Sequence, residues 1–297
     1  MFYYTAFGLI ISSEIQFPEL VASENKEADV KITIGVTPKL IESPNFSNTE
    51  FTITPTLFLQ HIDEVAYYYA EKGEIIIVEP YKNADLKSLR IYLLCSTMSA
   101  IIHQRGMIPM HASGILTDNG VVLITGDSGA GKSTIIKALS KKGHRIFTDD
   151  VCVLQSQNGI IEGIPSYPVM KLWENTFKLL ELGEIKGEDR LWPDVDKYAV
   201  YFHNEFLASW KKISKIFILE KSEDIYKPIL INQSGAEAFI AIGSNTYRGW
   251  YIEPMKLSDL HFSMVNEVIK QCKVLKITRP VEGDSVSLVT ELIEENL

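Results

Sequence analysis

The sequence predicts an α/β protein in two parts. A β-rich first part covers residues 1–82, and a connecting helix over 83–106 leads to an α/β domain over 107–297. Three observations predict this. The stretch Gly126-Asp127-Ser128-Gly129-Ala130-Gly131-Lys132-Ser133-Thr134 fits the phosphate-binding pattern G-x-x-x-x-G-K-[ST], between a strand pattern and a helical one. The residues before position 82 form short, often alternating runs punctuated by Pro, Gly and Asn. A single stretch of helical period separates these two regions.

Taken in order, Tyr4 to Ile11 predicts the first strand, and Val30 to Ile34 alternates as a half-buried strand does. Phe51-Thr52-Ile53 and Leu57-Phe58-Leu59 are further short strands. Val65 to Ala70 turns at Lys72-Gly73 into Ile75 to Val78, a hairpin, with Pro38, Pro44 and Pro55 in loops. Leu86, Leu89, Leu93, Leu94 and Met98 recur at helical spacing, followed by Ile101 and Ile102. Asn83 or Asp85 is the N-cap and Gly106 the stop. Ile108 to Leu116 is a strand, Asp118-Asn119-Gly120 a hairpin turn, and Val121-Val122-Leu123-Ile124 the strand entering the phosphate loop. The helix from Lys132 ends at Lys142-Gly143, where His144 serves as a C-terminal cap. Arg145 to Thr148 is a short strand ending at Asp149-Asp150. Val151 to Leu154 continues extended, Asn158-Gly159 turns, and Ile160-Ile161 returns. Beyond it the sequence predicts a helix from Val169 to Leu182, a strand from Ile213 to Leu219 and a helix from Ala236 to Ile242. A strand from Lys273 to Ile277 and a helix from Ser285 to Asn296 complete the chain.

Composition narrows the function classes. At 46% hydrophobic and 23% charged residues the chain is ordinary globular material. A formal charge of −9 and a pI of about 5.3 argue against non-specific binding to nucleic acid or to an anionic membrane. No apolar run approaches the ~18 residues of a membrane span. Met1-Phe2-Tyr3-Tyr4-Thr5 lacks the basic start of a secretory peptide. Cys95, Cys152 and Cys272 are scattered, with no CxxC and no zinc spacing, and read as reduced thiols of a cytoplasmic protein.

The loop carries the firmest chemistry. Its glycines allow positive φ and close approach, so that successive N–H groups curl into a nest for phosphate oxygens at a helix N-terminus. Lys132 is placed for the β- and γ-phosphates and the Ser133 hydroxyl for Mg²⁺. Asp149 and Asp150 follow Lys132 by 17 and 18 residues, at the end of a short strand. One can hold the metal and the other can take a proton from an attacking hydroxyl, unless the two acids form only a solvated turn. His111, on the preceding strand, is either a structural residue or a third member of this group.

These residues carry a family resemblance. Met110-His111-Ala112-Ser113-Gly114-Ile115-Leu116, the Gly126 to Thr134 loop, Lys142-Gly143-His144-Arg145 and Asp149-Asp150-Val151 together resemble the catalytic domain of HPr kinase/phosphorylase. The resemblance implies a P-loop HPr kinase/PEP carboxykinase-like core, and ATP and Mg²⁺ as cofactors. It makes Lys132 the phosphate-binding lysine, Ser133 the magnesium residue, Asp149 the acid that deprotonates the acceptor serine, Asp150 a support for the metal or for the acceptor site, and His111 a neighbour of the catalytic acid. HPr kinases are hexamers, so a homo-oligomer is among the partners it implies. Arg248 is the nearest counterpart of that family's basic loop. Phe17-Pro18-Glu19-Leu20, Gln104 to Ser113, and Pro165 to Trp173 look more like the HPr-kinase-like proteins of peptide biosynthesis clusters. Those resemble kinases of the C-terminal serine of a lasso peptide precursor, and the precursor peptide is then the expected partner. Pro165 to Pro168 and Lys171-Leu172-Trp173 either line an acceptor groove or form a proline-bounded loop with a core tryptophan. A kinase of HPr or of free serine, and a nucleotide-binding regulator without transfer, are the competing readings.

Overall fold

The computed structural model describes residues 1–192, 195–281, 283 and 285–297. Residues 2–80 form a nine-stranded sheet. Its strand order is Val21–Ala22, Phe2–Ala6, Leu9–Ser13, Val30–Ile34, Ile75–Pro80, Ala66–Glu71, Leu57–Ile62, Phe51–Ile53 and Phe46–Ser47. Val30–Ile34 runs parallel to both its neighbours, while the pairs built on local hairpins are antiparallel. Its alternation is used over the first three positions, with Val30 and Ile32 buried and Lys31 exposed, but ends at Ile34, which is exposed.

The expected single strand from Tyr4 to Ile11 is a hairpin instead. Phe7 and Gly8 turn with φ of 56° and 76°, so Ala6 pairs with Leu9. Phenylalanine is a poor residue for a left-handed turn, which is why the sequence hides it. Burial of its ring offsets the cost. Phe7 packs edge-on against Tyr167 at 5.6 Å, and its N–H donates to the Ser166 carbonyl at 2.8 Å. The hairpin tip is thus docked into the second half of the chain.

The connecting segment begins as expected. Asp85 caps the helix Leu86–Tyr92 by accepting from the Ser88 N–H at 2.7 Å. A wider π turn, Leu93–Thr97, interrupts it before Met98–Gln104 continues to Gly106, at φ 73°. Leu89, Leu93, Leu94, Met98, Ile101 and Ile102 enter one core cluster with the first sheet. The same cluster takes in Val151, Val153, Ile164, Tyr167, Val169 and Tyr251 from later in the chain.

The second sheet is centred on three parallel strands, Gly120–Thr125, Lys211–Ser222 and Lys273–Pro280. Both faces are covered. Val121, Leu123, Ile216, Ile218 and Val274 pack with the helices Gly235–Ser244 and Ser258–Gln271. Val122, Ile124, Phe217, Leu219, Leu275 and Ile277 pack with Lys132–Lys141 and Val286–Glu294. Covering by helices on both faces is what allows these strands to be continuously apolar. Ala112–Thr117 and Arg145–Thr148 extend the sheet beyond Gly120–Thr125. The carboxyl ends of the parallel strands, with their loops, form the rim on which the site lies.

Two further expectations are corrected. Ile108 to Leu116 is divided at His111: Ile108–Met110 pairs with Cys152–Gln157, and Ala112–Thr117 with Gly120–Thr125. Val169 to Leu182 is a strand, Val169–Trp173, followed by a one-and-a-half-turn helix, Glu174–Leu179. The strand buries Val169, Met170, Lys171 and Leu172 in succession. A short run without alternation does not distinguish strand from helix. Val169–Trp173 forms a small antiparallel sheet with Val195–Tyr201 and Arg190–Trp192. These last two strands and the helix Ser258–Gln271 are not foreseen from the sequence. The helix buries only Met264, Val265 and Val268, so its apolar stripe is thin. No described helix is long and apolar enough to cross a membrane.

Candidate active site

The phosphate loop lies between the strand Gly120–Thr125 and the helix Lys132–Lys141, as its motif demands. Gly126 has φ 138°, and a Cβ there would lie 2.2 Å from the Leu219 carbonyl oxygen of the neighbouring parallel strand. Gly131, at φ 110°, occupies the N-cap of the helix. The loop is held from two sides. The Gly126 N–H donates to Asn245 Oδ1 at 2.9 Å, and Arg279 donates from Nε and Nη2 to the Ala130 carbonyl at 3.0 and 2.8 Å. Lys132 Nζ donates to the carbonyls of Gly126 and Asp127 at 2.8 and 3.0 Å. Burial pulls this amine down to about 8, against the pull of Asp150 and Asp149 in the other direction.

The two adjacent acids have different surroundings. Asp149 is 1% exposed. Its Oδ1 accepts from Ser113 Oγ at 2.6 Å and its Oδ2 from the Lys171 N–H at 2.9 Å. Burial pushes its carboxyl up, opposed by hydrogen bonds from Ser113, Lys171 and the Ser133 hydroxyl. Asp150 has φ 67°. Its Oδ2 accepts from Lys171 Nζ at 2.5 Å, and His111 Nε2 lies 3.8 Å from its Oδ1. Burial alone would raise the Asp150 carboxyl, but the Lys171 ammonium more than compensates and holds it well below the usual carboxylate range.

His111 sits at the break between its two strands. Its N–H donates to the Asn245 carbonyl at 2.8 Å, its own carbonyl accepts from Thr125 Oγ1 at 2.8 Å, and its ring meets Tyr247 edge-on at 5.7 Å. Burial, reinforced by Lys132, brings the imidazole down to about 4, so it is neutral at pH 7. Its contact with Asp150 is therefore polar rather than ionic at that pH.

Two clefts meet here. One, of about 550 Å³, runs over Gly129, Gly131, Lys132, Ser133 and Thr134 toward Trp173, Thr176 and Arg279. The other, of about 520 Å³, is walled by Tyr92 and Cys95 of the connecting segment and by Trp192, Tyr247, Arg248 and Trp250. His111, Ser128, Asp150, Lys171 and Lys197 belong to both. Each volume is in the range of small-ligand sites.

The sequence-derived residues are thus largely brought together. Thr134 Oγ1 is 2.9 Å from Thr176 Oγ1 at the first cleft, and Ala130 is buried behind the loop. Asp127 contributes its carbonyl to Lys132. His144 lies elsewhere, 3.1 Å from Glu294. Lys171 lines both clefts and Leu172 and Trp173 line the first, whereas Ser166 and Tyr167 are buried and line neither. Ser113, Lys197, Asn245 and Arg279 were not singled out by sequence reasoning. Arg279 had a usable signal, since it ends a strand that a parallel sheet would bring beside the loop. Lys197 had none.

Among the described residues, no group of three or more His, Cys, Asp and Glu side chains is arranged to hold a metal. The pairing of the Ser133 hydroxyl with the Asp149 carboxylate is nonetheless a hard-oxygen donor set. It suits Mg²⁺, which binds through one or two carboxylates together with substrate phosphates.

No family model matches the chain. The chain is weakly homologous to HPr kinase/phosphorylase. It is 25% identical over 194 residues to the HPr kinase/phosphorylase of Mycoplasmopsis pulmonis (strain UAB CTIP), a match covering 64% of this chain and 57% of that protein. The chain thus spans little more than half the length of that curated relative. Among solved structures, the Hpr(Ser) kinase/phosphatase from Coxiella burnetii matches with 17% identity and a TM-score of 0.35. That match covers 63% of this chain and 89% of the other.

Proposed function

We propose that this chain is an ATP- and Mg²⁺-dependent kinase of a serine hydroxyl in a peptide, with the C-terminal serine of a lasso peptide precursor as the specific acceptor. The observation that carries the reading is the position of Asp150, at the junction of the phosphate-loop cleft and the aromatic cleft. The sequence homology to HPr kinase/phosphorylase supports the reaction class. The precursor peptide rests on the resemblance of Phe17 to Leu20, Gln104 to Ser113 and Pro165 to Trp173.

In this proposal the loop N–H groups and Lys132 hold the β- and γ-phosphates. Asp149, sequestered beside Ser133, is the metal-side acid, and Asp150 is the base. This exchanges the roles that the resemblance implied. The reason is access: Asp149 is closed off by Ser113 and Lys171, while Asp150 opens to both clefts. Asp150 accepts the proton as the serine Oγ forms its bond to the γ-phosphorus and the bond from that phosphorus to the bridging oxygen breaks, releasing ADP. Lys171 keeps Asp150 ionised and oriented. When bound, Mg²⁺ supplies charge neutralisation at the β- and γ-oxygens.

The test is transfer from Mg-ATP to a serine-terminated precursor peptide, read as an added phosphate by mass spectrometry. Asp150→Asn is expected to lower the rate by about 10²–10⁴-fold with ATP binding retained. A wild-type rate in that variant would remove Asp150 as the base.

A further inference from the structure

The cations at the junction of the two clefts differ in how they are occupied. Lys171 is paired with Asp150 and also donates to Cys95 Sγ at 3.3 Å. Lys132 is bonded to two loop carbonyls, and Arg279 to that of Ala130. Lys197 lies over the Trp173 ring at 5.6 Å, and of the two cations here with no described carboxylate partner Arg248 is the one confined to the aromatic cleft. It lines the aromatic cleft, its Nε is buried with no hydrogen-bond partner, and no described carboxylate lies within ion-pair distance of it. Its guanidinium is hydrogen-bonded to the Tyr247 side chain, whose ring centre lies 5.6 Å from the guanidinium carbon, and Tyr251, Gly249 and Trp250 are close by.

The backbone has been forced to present this side chain. Arg248 has φ 54°, a left-handed conformation that costs a non-glycine residue of order 1 kcal/mol. The surrounding chain pins it there. The Tyr247 N–H donates to the Pro109 carbonyl at 2.7 Å, and His103 Nε2 lies 3.1 Å from the Tyr247 carbonyl. The Gly249 N–H returns to the Thr246 carbonyl at 3.1 Å, and the Tyr251 N–H to that of Arg248 at 2.9 Å. A cation that lines a cleft with one buried donor unpaired and no described carboxylate beside it calls for an anion.

We infer that Arg248 reads a carboxylate of the acceptor within about one residue of the reacting hydroxyl. This rests on the kinase reading above and deepens it. Arg248 and Asp150 line the same cleft of about 520 Å³, which has room for only a few residues of peptide. An acceptor hydroxyl beside Asp150 therefore brings its near neighbours to Arg248. The planar fork of a guanidinium matches a carboxylate in two parallel hydrogen bonds, and the single charges balance. Tyr92, Trp192 and Trp250 supply aromatic walls for the peptide end itself. The carboxylate has two sources, the chain terminus of a terminal serine or an acidic side chain next to an internal one.

The experiment compares three synthetic peptide pools with randomised upstream residues. One ends in serine as the free acid, one in serine as the amide, and one in serine amide preceded by aspartate. Phosphate transfer from Mg-ATP is measured for each with the full chain. The wild type is expected to favour the free acid over the plain amide by about 10²-fold in kcat/KM. In Arg248→Ala that ratio is expected to fall to within about threefold of unity, with Arg248→Lys between the two. Recovery by the aspartate pool assigns the carboxylate to a side chain, and no recovery assigns it to the terminus. Equal transfer to all three pools by the wild type would overturn the inference while leaving the kinase reading in place. So would a ratio that survives Arg248→Ala in a variant that still binds ATP. No transfer to any pool would overturn the kinase reading, and the inference with it.

Discussion

Replacing Lys171 by Met tests the electrostatic frame of the site most directly. The side chains of Lys171 and Asp150 are 7% and 18% exposed, and their charged atoms are 2.5 Å apart. Removing the ammonium leaves Asp150 buried and unpaired, which costs about 3–5 kcal/mol in comparable buried pairs. For a chain of this size that is a fall in Tm of roughly 5–8 °C. Lys171→Met/Asp150→Asn removes both charges, so it is expected to cost less than Lys171→Met alone. The pH dependence has a definite sign. Without Lys171, burial raises the Asp150 pKa above its unfolded value of about 3.9. The carboxyl then takes up a proton as pH falls, and the destabilisation at pH 8 shrinks toward pH 5. Urea unfolding of wild type, both single variants and the double variant at these two pH values gives the coupling energy. Additive costs, or a Lys171→Met penalty that does not change with pH, would refute the reasoning.

Three further outcomes follow from the same geometry. Burial pulls the Lys132 amine down to about 8, so its charge is lost as pH rises through that value. ATP affinity by fluorescence titration is therefore expected to fall between pH 7 and 9, and Lys132→Arg is expected to abolish that inflection. Gly126→Ala places a Cβ 2.2 Å from a backbone oxygen, whereas a Cβ at Gly129 meets nothing within 4 Å. Gly126→Ala should thus cost at least about tenfold more ATP affinity than Gly129→Ala, which bears only the positive-φ penalty of about 1 kcal/mol. Burial lowers His103 and His111 to about 4, His103 with a carbonyl partner opposing. Folding then favours their neutral forms, and this contribution is complete above the unfolded value of about 6.5 and lost as pH falls toward 4. Each histidine should contribute about 2 kcal/mol less at pH 5 than at pH 7. Substituting His103 by Gln should flatten that slope in urea unfolding.

The site was legible where chemistry is coded locally. The Gly126 to Thr134 motif contains its own turn, nest and helix start, so short-range sterics place it. Asp149 and Asp150 were found by their position after a short strand, but their division of labour was not. It depends on Lys171 and Ser113, which come from separate strands, and on the left-handed turn at Asp150. No local pattern around Arg248 marks it for the site. The left-handed backbone that presents it is held through Tyr247, which bonds to Pro109 and His103, far away in the chain.

The fold divides along the same line. The strand–loop–helix unit, the alternation from Val30 to Ile32, the Lys72-Gly73 hairpin and the Asp85-capped helix are written locally, because each is set by side-chain period or turn chemistry over a few residues. Long-range packing makes Phe7 turn rather than extend, since its ring is buried against Tyr167. It also decided that Val169–Trp173 is a strand, since both faces are covered and no period remains to be read. The placement of the connecting segment was decided there too, and with it Tyr92 and Cys95 in the wall of the second cleft. Which residues share a cleft depends on long-range packing, and no local pattern in the chain encodes it.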